Sequence, residues 1–431
     1  MLKNLTAQVK NSPFIRNVAV LASGSMITSF IPIITAPINS RLYTPEQYGI
    51  WGSVTALASL LGIVAYSHFP QIMFLEKENN DIENIFNQSI HFVILFSILL
   101  LVIIAPVIIG LKYYYPSKSG LEYFYFLPIL TLLSGFNATI GAWSNRKQFF
   151  KKIAFNRVLQ NLTSIILQIG IGLIVGGVIG LCLSYVIGLL VSFVHYNQKA
   201  KNISSSLYRK LNLKGLVETF KKYKQLFLLS LSSDFINNFS NQLPVLMLMS
   251  HSTPANVGYY NMSNRLISLP VSFLTSSFSE VFRQRASDQY LETGDCRNLV
   301  IKTVTFLFAV TIIPFLLCMF FAPMLFKFFL GAQWEYAGVF ARLIGILFFF
   351  KIVISPVSYV VFLAKKFTIS LIMDVILVAC SMATLYIGLT YFKSVEASLF
   401  LYAVNYSLLY FFTLYLSLKY AKKNDQASVR A

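Results

Sequence analysis

Apolar runs recur along the whole chain, each of about 20 residues, which at about 1.5 Å rise per residue is enough to cross a hydrocarbon core of roughly 30 Å. Divided at their polar breaks, they predict spans near 14–39, 49–74, 90–114, 121–144, 158–175, 178–197, 225–250, 257–281, 303–329, 337–363, 367–391 and 395–418. The runs lack the alternation of barrel strands, and backbone polar groups cannot stay open in lipid, so helices are the expected spanning form. The weakest division lies between the fifth and sixth spans. There Gly176 and Gly177 have to make the turn inside an almost unbroken apolar stretch.

Composition agrees with a bilayer as solvent. Of 431 residues, 56% are hydrophobic and 12% charged, against roughly 25% charged in a soluble domain. The net charge of +19 would suggest nucleic acid in a soluble protein. Here the charge sits mostly in short loops, where Lys and Arg mark the cytoplasmic side. With the N-terminus inside, 27 of the 35 basic residues fall in cytoplasmic segments. Five fall outside (Arg41, Lys112, Lys118, Lys327, Lys393), and Arg265, Arg342 and Lys351 lie within spans. Merging or splitting one span would invert every later loop and destroy this asymmetry. The expectation is an all-α integral membrane protein of about twelve spans with both termini cytoplasmic, partnered by membrane lipids and not by nucleic acid. Met1 to Lys10 is polar and no cleavable signal pattern follows, so the first apolar run is expected to remain as a span. Cys182, Cys296, Cys318 and Cys380 have neither metal-site nor disulfide-framework spacing.

The halves of the chain are related. Thr44-Pro45-Glu46-Gln47-Tyr48-Gly49 follows the first span and Thr253-Pro254-Ala255-Asn256-Val257-Gly258 follows the seventh, 209 residues later. The same offset sets Ser23 opposite Ser232 and Gln71 opposite Glu280. Six spans per half place both halves the same way round, which predicts two parallel six-helix lobes. The expected division is an N-terminal lobe over 1–197, a basic cytoplasmic linker over 198–224, a C-terminal lobe over 225–418 and a tail over 419–431. Pro32 and Pro37 in the first span and Pro244 in the seventh permit bends at comparable depth.

Several polar features have plain readings. The basic stretches Arg146 to Arg157 and Lys199 to Lys224 fit anchoring against anionic lipid, with guidance of an anionic headgroup as the alternative. The acidic stretch Glu76, Glu78, Asp81 and Glu83 reads as a solvated loop. His68, His91, His195 and His251 are scattered without metal spacing, and a lone His near a span end reads as interfacial. The tyrosines fit either stacking on sugars in a cavity or, equally well for most of them, aromatic belts at the membrane interface.

Three stretches resemble a known family. They are Ser40-Arg41-Leu42-Tyr43-Thr44-Pro45-Glu46-Gln47-Tyr48-Gly49; Asn145-Arg146-Lys147-Gln148-Phe149 with Ile153-Ala154 and Arg157-Val158-Leu159-Gln160; and Gln242 through Val257-Gly258-Tyr259-Tyr260, Asn264-Arg265-Leu266 and Pro270 to Phe278. They look like the corresponding turns and hairpins of the polysaccharide exporters, or O-antigen (oligosaccharide) flippases, of the multidrug/oligosaccharidyl-lipid/polysaccharide superfamily. The resemblance implies a two-lobed transporter of the bacterial inner membrane, alternating between inward-open and outward-open states. Its substrate would be a polyprenyl-diphosphate-linked oligosaccharide, as used in O-antigen or capsule assembly alongside other polysaccharide assembly proteins.

Charges inside spans are costly, by about 2.5–3.5 kcal/mol on insertion scales, and tend to face a cavity or a partner. Asp234 falls about 15 Å from the cytoplasmic end of its span, Arg265 about 12 Å from the outer end of its own, and Lys351 about 20 Å in from the outer side. The expected diphosphate-binding residues are Arg265 and Lys351, with Arg41 and Arg342 nearer the outer end. The resemblance favours Arg265 in particular, since relatives handling lipid diphosphates often place an arginine in the eighth helix. The plainer alternative is that Lys351 pairs with Asp234 or Asp374. No P-loop is present, so coupling to a proton or sodium ion is expected, with Asp234, Asp374 and Glu280 as candidates; no other cofactor and no metal is expected. Two rival functions stay open. A drug or cation antiporter of the same superfamily would favour an acidic or apolar cavity, and a membrane-embedded polymerase or ligase would need a clustered catalytic site that the sequence does not display.

Overall fold

The computed structural model describes residues 13–116, 119–199, 212–364 and 366–422. Among them the regular elements are all helices, and nine are long and apolar enough to cross a membrane. Every expected span coincides with a helix. In the first half these are α1 (Pro13–Leu42), α2 (Pro45–Tyr66) continued by α3 (Phe69–Leu75), α4 (Asn79–Tyr114), a 3₁₀ turn leading into α5 (Leu127–Arg146), α6 (Phe150–Ile174) and α7 (Gly177–Lys199). A short helix, α8 (Leu213–Lys222), follows. The second half contains α9 (Lys224–His251), α10 (Pro254–Thr293), α11 (Arg297–Leu330), α12 (Glu335–Ile354) with α13 (Tyr359–Leu363), α14 (Phe367–Thr390) and α15 (Val395–Tyr420). The fold class is that of a twelve-span helical membrane protein.

The three spans outside the nine apolar ones are α1, α9 and α10, of 30, 28 and 40 residues. Polar groups run through the middle of α9, with Asn237, Asn238, Ser240, Asn241 and Gln242, and through the first third of α10, with Asn261, Ser263, Asn264 and Arg265. Helices with such interiors pack against protein or water and not against lipid.

Two compact units divide the chain, Met1–Phe239 and Ser240–Ala431, with the boundary inside α9. The segment 198–224, expected as a linker, lies outside the described residues from 200 to 211, and its remainder includes α8. The terminal stretches 1–12 and 423–431, on which the expected cytoplasmic placement of both ends depends, also lie outside the described residues.

Part of the packing order recurs in the two units. In the first, α5 packs against α2, α4 and α7, and α6 against α7; in the second, α12 packs against α10, α11 and α15, and α14 against α15. The fourth span of each half has 56% of its apolar stretch buried, whereas the third and fifth (α4, α6, α11, α14) have at most 22%. Exposed apolar faces such as Ile98, Leu99 and Val102 on α4, and Ile313, Phe320 and Met324 on α11, are therefore the lipid-facing surfaces. The two TPxxxG turns share a backbone: Thr44 has φ −80°, ψ 162° and Thr253 φ −80°, ψ 154°, each followed by Pro in the first helical turn. Only Thr44 closes a capping box among the two, because Gln47 reaches back to the Thr44 N–H at 3.1 Å and its counterpart Asn256 is one methylene shorter. Gly176 and Gly177 do make the turn between α6 and α7, at φ 63° and 73°, a region closed to most side chains.

Three sequence expectations are corrected. The second span is not continuous, since Ser67 and His68 take left-handed backbone (φ 38° and 60°) and α3 restarts from His68. Its repeat counterpart in α10 stays helical, and α10 runs on to Thr293. The third span begins at Asn79, so Asp81 and Glu83 lie on a helix and not in a loop. Hydropathy marks only the lipid-embedded part of a helix, and a polar helical extension escapes it. Third, Glu76 is tied down: its carboxylate accepts from Lys222 Nζ at 2.6 Å and from the Tyr223 hydroxyl, while its carbonyl accepts from Arg146 Nη2 at 2.9 Å. These bonds hold the polar ends of α3, α5 and α8 together over a core that includes Phe69, Phe86, Leu216 and Phe227.

Candidate functional site

The predicted basic residues are dispersed. Arg41 lies exposed in the last turn of α1. Arg265 is half-buried on α10. Two residues before it, Ser263 is fully buried and donates to the Ala337 carbonyl of α12. Two helical residues turn roughly 200°, so Arg265 projects from the side of α10 away from α12. Arg342 and Lys351 share α12 nine residues apart, which on an ideal helix sets them on opposite sides and about 14 Å apart along the axis. Arg342 Nε is buried without a hydrogen-bond partner. The Lys351 ammonium lies 5.8 Å from the centroid of the Phe348 ring. Among the described residues of this unit no carboxylate pairs with Arg342 or Lys351, so the alternative of a Lys351–Asp374 pair is not what the structure holds.

The acidic candidates have more definite surroundings. Asp234 Oδ2 lies 3.4 Å from His68 Nε2, with the imidazole 2% exposed and the carboxylate 51% exposed. The pair is not aligned as a hydrogen bond, and both ring nitrogens of His68 lack one. His68 is therefore a buried partner of Asp234, not an interfacial histidine as its sequence position suggested. One helical turn or so onward from Asp234, Asn238 Oδ1 accepts from Ser59 of α2 at 3.3 Å. Asp234 thus belongs to a polar seam along the first part of α9.

Asp374, seven residues into α14, lines a cavity of about 230 Å³ with Tyr406, Tyr410, Thr413 and Ser358. This lining offers oxygen atoms, the donor set of hard cations and of protons. Tyr402, Tyr406 and Tyr410 follow one another at four-residue spacing on α15, with Tyr402 and Tyr406 buried. Tyr406 shares a hydrogen bond of 2.9 Å with Ser240 of α9, and Asn405 donates to Ser381 of α14 at 3.3 Å. The belt reading of tyrosines missed this ladder; its four-residue spacing was the available signal, but the same spacing arises on any lipid-facing stripe. Glu280 is exposed on α10, thirteen residues before its end at Thr293. Among the described residues no three His, Cys, Asp or Glu side chains converge as a metal site.

Among the described residues, two units with partly like helix packing carry ionisable groups within their spans. A family model for "polysaccharide biosynthesis protein" matches residues 38–338, and the chain belongs to that family. Comparison with the curated proteins gives no match. Among solved structures, the lipid II flippase MurJ in an inward closed conformation aligns with TM-score 0.70 at 16% identity, over 94% of this chain and 87% of that one. A transporter of the multidrug/oligosaccharidyl-lipid/polysaccharide superfamily from Pyrococcus furiosus aligns with TM-score 0.59 at 15% identity, over 95% and 96%. An inward-facing multidrug resistance transporter of the MATE family in the same superfamily gives 0.60 at 15% identity, over 94% and 95%. At these identities the likeness establishes the fold, which is that of the superfamily anticipated from the three motif stretches.

Proposed function

We propose that the chain is a flippase carrying a polyprenyl-diphosphate-linked oligosaccharide from the cytoplasmic to the outer leaflet of the bacterial inner membrane by alternating access. The observation that carries this reading is the presence of intramembrane cations, Arg342 and Lys351, without carboxylate partners among the described residues of their own unit, in a chain of the polysaccharide biosynthesis family. A guanidinium or ammonium removed from bulk water attracts a diphosphate strongly. Because these groups and Arg265 are spread over different helix faces, they act in succession: Arg265 and Lys351 hold the diphosphate, and Arg41 and Arg342 receive it near the outer end. Outward movement of an anion requires an energy source. The Asp234–His68 pair, a carboxylate 3.4 Å from a buried imidazole, is the proposed proton-coupling site, with Asp374 and Glu280 as further proton or sodium sites.

The test is genetic. Deletion is expected to remove surface polysaccharide while lipid-linked repeat units remain on the inner leaflet, and Arg265→Ala is expected to fail to restore export at normal protein abundance. Restored export by that variant removes Arg265 from the mechanism. One observation favours a second reading, a cation or drug antiporter: Asp374 faces a tyrosine-lined cavity of about 230 Å³. Drug resistance conferred by the intact chain and lost in Asp374→Asn would select it.

A further inference from the structure

A polar cavity of the first unit lies away from the intramembrane charges. It occupies about 620 Å³ beside the polar start of α4 and the short helix α8, within the range of about 300–1,000 Å³ typical of small-molecule sites. The sequence reading assigned these stretches to solvated loop and basic linker. On α4, Asp81, Asn84, Asn87 and Gln88 line the cavity from one helical face; from the α8 side, Glu218 and Tyr223 line it too.

The lining carries donors and acceptors together: the side-chain amides of Asn84, Asn87, Gln88 and Asn212, the His91 ring and the Thr219 hydroxyl. Asn87 is 8% exposed and its Oδ1 has no hydrogen-bond partner; Gln88 Oε1 is buried and equally unpartnered. Each side-chain amide both donates and accepts, which matches the hydroxyl groups of a polyol. Asp81 and Glu218 add carboxylate acceptors at the exposed edge. The lysine in the wall, Lys222, is already committed to Glu76 at 2.6 Å. With that lysine committed and two carboxylates at the edge, an anion is disfavoured, and a neutral ligand whose hydroxyls both donate and accept is favoured. Tyr223, whose hydroxyl is likewise taken by Glu76, contributes a ring on which an aliphatic sugar face can rest.

We propose that this cavity binds the saccharide portion of the substrate, a neutral polyhydroxylated ligand of one to a few sugar rings. The proposal rests on the flippase reading and deepens it. The sugar docks at the membrane surface on α4 and α8, separately from the diphosphate, and the side-chain amides of the α4 face hydrogen-bond its hydroxyls.

Saturation-transfer NMR on the full-length protein in detergent, with maltotriose and chitotriose as free probes, tests it. Wild-type protein is expected to transfer saturation to at least one trisaccharide. Asp81→Ala and Glu218→Ala, both at exposed positions that leave the core untouched, are expected to weaken transfer at least fivefold, and Asn87→Leu to abolish it. Arg265→Ala is expected to retain it, so loss of export in that variant and loss of sugar binding in the others report on different sites. No transfer to either trisaccharide, equal transfer in all three cavity variants, or full displacement of the sugar by equimolar spermidine would overturn the proposal, the last by revealing a cation site.

Discussion

His68, held in left-handed backbone at φ 60°, places its buried ring 3.4 Å from the Asp234 carboxylate. A non-glycine residue in that region costs about 1–3 kcal/mol and persists where surrounding contacts dictate it, often at functional positions. The break between α2 and α3 exists at this one point, and the equivalent stretch of α10 lacks it.

If the pair couples protons to transport, removing either titratable group uncouples them. Asparagine tolerates left-handed backbone, so His68→Asn is expected to fold and insert normally. Both His68→Asn and Asp234→Asn are expected to make export insensitive to an imposed pH gradient, measured as uptake into inverted vesicles at two pH values. An unchanged response in both variants would leave Asp374 and Glu280 as the coupling candidates.

The Glu76 tether gives a pH dependence with a definite sign. Hydrogen bonds from Lys222 and Tyr223 hold the Glu76 carboxyl below its ordinary value. Because the folded value is the lower one, the tether stabilises the protein fully above the ordinary carboxylate range of about 4.3. That contribution fades as pH falls through the depressed folded value. Limited proteolysis around α8 is expected to accelerate on acidification in the wild type. Glu76→Gln is expected to be cut readily already at neutral pH, with little further change in acid.

Helix packing supplies a third expectation. A Cβ built on Gly388 of α14 would overlap the backbone and Cβ of Ser398 on α15, and Ser398 Oγ donates to the Leu385 carbonyl at 2.9 Å at the same crossing. Small residues of this kind let membrane helices approach closely. Gly388→Val is expected to destabilise the second unit by about 1–3 kcal/mol, read as a lower unfolding temperature in detergent. Gly110→Val, at a position open around its Cβ, is the control with little effect.

Much of this architecture was legible because bilayer physics writes it locally. Span count follows from run length, the α6–α7 turn from Gly176-Gly177, and the repeat from the two TPxxxG turns, whose backbones agree within a few degrees in φ and ψ. What escaped depends on contacts distant in sequence. Nothing near His68 announces Asp234, which lies on α9, and nothing near Glu76 announces Lys222 and Tyr223. The tyrosine ladder on α15 needed Ser240 to distinguish it from an interfacial belt. The cationic candidates were found as residues, but their dispersal over opposite faces of α12 is a property of helix phase that a depth argument does not contain.

The central claim is translocation of a lipid-linked saccharide, and reconstitution addresses it most directly. Purified protein is placed in liposomes carrying a fluorescent polyprenyl-diphosphate oligosaccharide, and exposure of the sugar to an external glycosidase is followed over time after the outer leaflet has been stripped. The account predicts continued cleavage of inner-leaflet lipid at a rate proportional to protein content and lost in Arg265→Ala. Cleavage that stops at the outer leaflet, as in protein-free liposomes, would contradict it.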